Sequence, residues 1–111
     1  MDNEKFLLIK LKELPLSKEG LKERASGNWG ISQEKLVNVE YVIVSYKTEI
    51  VAVYKLNTIF ESDELWGKKN KNRLKFDFEE TDKFSELKSK KIISRTSNPV
   101  STLLGSDLVF K

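Results

Sequence analysis

The sequence contains neither cysteine nor histidine. Without cysteine there is no disulfide framework, no thiolate zinc site and no thiol nucleophile. Without histidine the chain lacks the commonest general base, the commonest metal ligand and the side chain that titrates nearest neutral pH. Arginine is scarce, three residues against seventeen lysines, which with frequent asparagine reads as the coding bias of an AT-rich bacterium or phage. Long apolar runs are missing too. The longest, Phe6 to Ile9 and Ile50 to Tyr54, fall far short of the roughly 18 residues that cross a bilayer. The start, Met1-Asp2-Asn3-Glu4, is acidic where a secretory signal is basic, so an intracellular, cytoplasmic protein with no membrane attachment is expected.

Catalytic motifs are equally thin. There is no glycine-rich phosphate loop. Ser32 and Lys35 have a Ser-x-x-Lys spacing, but at a capped helix start that spacing is common by chance. Glu79, Glu80 and Asp82 lie adjacent in a turn without a converging fourth ligand. The expectation is a protein that is not an enzyme, holds no metal and needs no cofactor.

What is present fits one domain over residues 1–111. A chain of this size buries roughly two-thirds of its unfolded surface, enough for a core without staples. Its net charge of +3 is unevenly spread: residues 1–64 carry 9 basic and 11 acidic side chains, residues 65–111 carry 11 and 6. A basic second half can mark a surface for nucleic acid, although lysine-rich loops are also common solvated surface.

Local patterns outline the elements. Lys5 to Leu11 reads as a strand that Pro15 stops. Ser17 is the natural N-cap of a short helix through Arg24, with Gly20 weakening it. Gly27-Asn28-Trp29-Gly30 is a loop, and Ser32 with Glu34 predicts a second short helix to about Val37. Tyr41 to Tyr46 and Ile50 to Tyr54, separated by Lys47-Thr48-Glu49, predict an antiparallel hairpin. Both arms are apolar on both faces, so the hairpin belongs in the middle of a sheet. Residues 62–72 read as an exposed loop. Arg73 to Phe78 alternates, with Leu74, Phe76 and Phe78 inward. Thr81 or Asp82 caps a short helix carrying Phe84 and Leu87. Lys91 to Ser94 and Leu108 to Phe110 are short strands, with a turn at Asn98-Pro99. The fold class is α+β: a small, mixed, mostly antiparallel sheet with two or three short helices, curling toward a barrel.

Gly27-Asn28-Trp29-Gly30-Ile31-Ser32, then Tyr41-Val42-Ile43-Val44, then Ile50-Val51-Ala52-Val53-Tyr54-Lys55-Leu56 resemble the PUA-like superfamily, in particular its ASCH and EVE-type members. Arg73-Leu74-Lys75-Phe76, the turn at Lys88-Ser89-Lys90 and Asn98-Pro99-Val100 extend the likeness over roughly residues 27–100. The resemblance implies a pseudobarrel that binds RNA or DNA, in some members by taking a modified or flipped base into an aromatic-lined pocket. It would place Asn98 in that pocket. The chain departs from the pattern where an aromatic often follows the Asn-Pro element: Ser101 and Thr102 stand there instead.

Candidate ligand residues follow from chemistry. Trp29, framed by glycines beside Asn28 and Ser32, is placed to stack on a base, or else to plug the end of the core. Trp66 precedes Lys68, Lys69, Lys71, Arg73 and Lys75, an aromatic beside cations as single-stranded nucleic acid requires, or a hydrophobic anchor in a solvated loop. Lys90, Lys91 and Arg95 would extend the basic footprint. Tyr46, at the hairpin end, is the most exposed of the three tyrosines, the others being packing residues. Asn98 before Pro99 is otherwise an ordinary turn residue. The leading reading is a non-catalytic module that binds RNA or DNA, recognising a modified or flipped base through an aromatic pocket and a basic face. The alternative is a small phage or mobile-element protein that inhibits a host defence enzyme by protein–protein binding. A third is a pocket for a free nucleotide or modified nucleoside.

Overall fold

A computed structural model of the chain describes residues 3–27, 29–61, 74–93 and 98–110. Strand β1 (Lys5–Leu11) is followed by helix α1 (Lys18–Ser26) and a 3-10 turn at Gln33–Leu36. The hairpin β2 (Val39–Tyr46) and β3 (Glu49–Glu61) comes next, then β4 (Leu74–Glu80) and a second 3-10 turn at Ser85–Leu87. Strands β5 (Ile92–Ile93), β6 (Val100–Leu104) and β7 (Val109–Phe110) complete the chain.

Five strands form one sheet in the order β4-β3-β2-β1-β6, and β5 pairs with β7 in a separate two-stranded ribbon. Only β1 and β2 run parallel. The parallel pair sits at the centre, where α1 and the 3-10 turn carry the chain from one strand to the next. The protein is therefore α+β and mostly sheet, with one helix and 3-10 turns among the described residues. The sheet does not close into a barrel among the described residues: β4 and β6 are its two edges.

The two-sided apolar pattern of the central strands has a direct cause, which is that both faces of the sheet are covered. On one face Leu7, Ile9, Val42, Val44 and Phe76 pack with Ala25 of α1, Trp29, Ile31 and Leu36. On the other, Phe6, Leu8, Ile43 and Ile50 pack with Leu87 and Ile92, and Phe84, Leu108 and Phe110 join them. Tyr41 and Phe6 each meet the Phe84 ring edge-on at 5.1 Å. That contact holds Phe84 at φ 62°, a left-handed conformation rare for a bulky residue.

Most expected elements are found, with instructive differences. β1 has the expected limits. Helix α1 runs two residues past Arg24, and the Ser17 hydroxyl accepts from the Gly20 amide at 2.9 Å. Gly20 suits this cap, because a Cβ there would lie 3.0 Å from the Ser17 Oγ. The hairpin turn is tighter than expected: Tyr46 pairs with Glu49, and Lys47 and Thr48 both have positive φ, 48° and 73°. β3 runs on to Glu61, and register shifts next to Val44 and Leu56 bend its pairing with both neighbours. Thr81 and Asp82 do not cap a helix with their side chains. Instead the Thr81 hydroxyl accepts from the Lys83 amide, and the Asp82 carbonyl from Ser85. β6 was not expected at all. Val100-Ser101-Thr102-Leu103-Leu104 lacks clean alternation and follows a proline, yet it pairs along β1 from Ile9 to Lys5. The exposed loop expected over residues 62–72 lies outside the described residues.

Candidate functional site

Helix α1 contacts β4, at one side of the sheet. Among the described residues no helix is in comparable contact with the β1–β6 side. A cleft of about 890 Å³ opens there, lined by Lys5, Arg24, Gly27, Trp29, Gly30, Ile31, Lys35 and the segment Asn98–Thr102. Such a volume is that of a small-ligand site. One wall is the loop after α1 with the 3-10 turn, and the other is the last edge of the sheet.

The electrostatics have one sign. Lys5, Arg24 and Lys35 line the cleft, and among the described residues no carboxylate does. Lys5 is tethered, its Nζ donating to the Val37 carbonyl at 3.1 Å. The Arg24 guanidinium lies 5.8 Å from the centre of the Trp29 ring. The Lys35 side chain is exposed on the 3-10 turn. Lys10, further along β1, has its pKa lowered from the ordinary lysine value by burial, and it is not part of the lining.

Trp29 is a packing residue first. It is 8% exposed, within the core that joins α1 to the sheet. Its indole N–H donates to the Ala25 carbonyl at 2.7 Å, satisfying an acceptor in the last turn of α1. Its backbone bonds reciprocally with Leu74, at 2.8 and 2.9 Å, and so covers the start of edge strand β4. Of the two readings of the glycine-framed Trp29, a platform for a base or a plug at the end of the core, its burial fits the plug, although the residue also lines the cleft. The physical reason is that a neutral indole gains more by filling the gap between helix and sheet than by standing in water.

The other expected site residues scatter. Asn98 lines the cleft beside Trp29. Ser32 is exposed at the start of the 3-10 turn and makes no side-chain cap bond. Tyr46 is half-buried at the hairpin end, with the Lys47 Nζ 5.4 Å from its ring centre. Lys75 points out of β4 and borders a smaller concavity of about 430 Å³ with Pro15, Glu23 and Arg24. Lys90 and Lys91 belong to the opposite side of the fold. The Lys90 ammonium lies 5.0 Å from the Phe110 ring, and the Lys91 backbone forms an isolated antiparallel β-bridge with Glu49. These lysines do not share a face with the cleft. Asn28, Trp66, Lys68, Lys69, Lys71, Arg73 and Arg95 lie outside the described residues.

Sequence reasoning missed Lys5, Arg24 and Lys35. They come from three different elements, β1, α1 and the 3-10 turn, and the packing of those elements around one cleft unites them, which local patterns did not reveal. No group of three or more Asp and Glu side chains among the described residues is arranged to hold a metal ion. No helix among them is long and apolar enough to cross a membrane. Comparison with protein-family models, with curated proteins and with solved structures found no match.

Proposed function

We propose that the protein is a non-catalytic nucleic-acid-binding module whose ligand lies in the cleft between the Gly27–Ile31 loop and β6. One observation carries this reading: a concave site that, among the described residues, is lined by three cations and no carboxylate. Phosphates supply the matching charge, and each one neutralised releases counterions. A hydroxyl and an amide on the opposite wall, from Thr102 and Asn98, suit the polar edges of sugar or base. The PUA-like resemblance is part of the same proposal, because it too would bring Asn98 beside the glycine-aromatic loop. An aromatic pocket built on Trp29 is not part of it, since that ring is committed to the core.

The test is fluorescence anisotropy with a labelled oligonucleotide at two salt concentrations. Three phosphate contacts to a single strand give a log–log salt slope of about −2, a loss of roughly twentyfold between about 50 and 200 mM salt. Lys5→Glu with Arg24→Glu should abolish binding while the melting temperature stays within a few degrees of wild type. A flat salt response, or unchanged affinity in the double variant, would remove the cleft from consideration.

A further inference from the structure

The two edges of the sheet are treated differently. Edge β4 carries Lys75, Asp77, Glu79 and Glu80, and Trp29 pairs with its first residue. Charges and cover of this kind keep a strand from pairing with anything else. Edge β6, Val100–Leu104, has no charged residue and among the described residues pairs on one side only, with β1.

Its hydrogen-bond phase follows from two end contacts. The Lys10 backbone amide donates to the Pro99 carbonyl at 2.8 Å, and the Gly105 amide donates to the Glu4 carbonyl at 2.7 Å. In an antiparallel ladder the bonded positions alternate, so Ser101 and Leu103 also face β1. The amides and carbonyls of Val100, Thr102 and Leu104 therefore point to the free edge. The Leu104 amide is taken by the Asp107 carboxylate at 3.3 Å. The outward groups of Val100 and Thr102 have no partner among the described residues. Both residues line the cleft, on the face they share with Ile9 and Leu7.

We propose that this edge reads the Watson–Crick edge of one unpaired base, so that the ligand is a single strand and not a duplex. The inference rests on the nucleic-acid reading of the cleft. The Val100 carbonyl and the Thr102 amide are neighbours on an extended backbone, an acceptor beside a donor. An unpaired base offers the complement, an amino group or ring N–H beside a ring nitrogen or carbonyl oxygen. In a duplex those groups are already paired. Lys5, Arg24 and Lys35 would meanwhile hold the flanking phosphates. A peptide strand is the lesser fit. With Leu104 capped by Asp107 only two residues remain open, short of an ordinary strand, and a neutral peptide leaves the three cations unmatched.

The experiment compares three labelled probes of about twelve nucleotides: a mixed-sequence single strand, an abasic strand of the same length and the annealed duplex. Two backbone hydrogen bonds to a base predict roughly tenfold tighter binding of the first than of either other probe at about 50 mM salt. Thr102→Pro removes the outward N–H without touching the β1 ladder, as proline is tolerated on an edge whose N–H faces out. It should lower affinity for the mixed strand to the abasic level. Gly30→Trp should close the site to every probe, since a Cβ on Gly30 meets nothing within 4 Å and the ring would fill the cleft. The comparison of probes on the wild-type protein stands whether or not a variant folds. If the abasic strand or the duplex binds as tightly as the mixed strand, the edge reading is overturned and the cationic cleft survives. If no probe binds, both fall. An oligoglutamate peptide that binds where no oligonucleotide does would assign the edge to strand addition and overturn the proposal.

Discussion

Trp29→Phe separates a packing tryptophan from a ligand platform. The substitution keeps an aromatic ring but removes the indole N–H that donates to the buried Ala25 carbonyl at 2.7 Å. An orphaned buried acceptor costs about 1–3 kcal/mol. The smaller ring leaves about 40 Å³ unfilled, worth about 1 kcal/mol at the usual cost of a residual cavity. Losing the Arg24 contact at 5.8 Å adds little at an exposed guanidinium. The sum is about 2–4 kcal/mol, or a fall of roughly 8–16 °C in melting temperature for a domain of this size. Urea unfolding followed by circular dichroism gives the free energy, and the same samples, held well below their transitions, give oligonucleotide affinity by anisotropy. Affinity should change by less than about twofold, because Lys5, Lys35 and the β6 edge are untouched and Arg24 keeps its charge. An unchanged melting temperature with lost binding would refute the reasoning and return Trp29 to the ligand.

Two further outcomes follow from the backbone and the charges. Thr48 holds φ 73° in the hairpin turn, where a β-branched side chain is strained. Thr48→Gly should relieve about 1–2 kcal/mol of that strain against the extra chain entropy of glycine, a net gain of about 0.5–1 kcal/mol in urea unfolding. A loss of stability would show that the Thr48 side chain makes a contact worth more than the strain. Tyr54 stacks on Phe78 at 5.3 Å, and burial, aided by the Glu80 carboxylate, raises its pKa above the ordinary 10.0. The unfolded chain therefore ionises first: the contribution is fully present below pH 10.0 and is lost as pH rises through the folded value. Tyr54→Phe should lose less stability than wild type between about pH 9 and 11, and equal losses in urea midpoint would contradict the assignment.

Much of the fold was written locally. The runs Lys5 to Leu11 and Tyr41 to Tyr46 and the alternation from Leu74 to Phe78 name their strands because side-chain period and β-branching act within a few residues. Ser17 marked the start of α1 for the same reason, since a cap is satisfied three residues away. β6 escaped because an edge strand of mixed polarity draws its definition from the neighbour it pairs with. The candidate site was legible only in part. A glycine-framed tryptophan and an Asn-Pro turn were visible as unusual residues, but not the direction in which the ring turns.

The sequence by itself determined that the chain lacks histidine and cysteine chemistry, carries its charge unevenly and builds a sheet covered on both faces. Those properties reside in residue types and their periods. Tertiary structure alone decided that Trp29 is core, that Lys5, Arg24 and Lys35 surround one cleft, and that Val100 and Thr102 present an open edge to it. The reason is range: pairing β1 with β6 joins residues almost a hundred positions apart, and no local pattern encodes a partner at that distance.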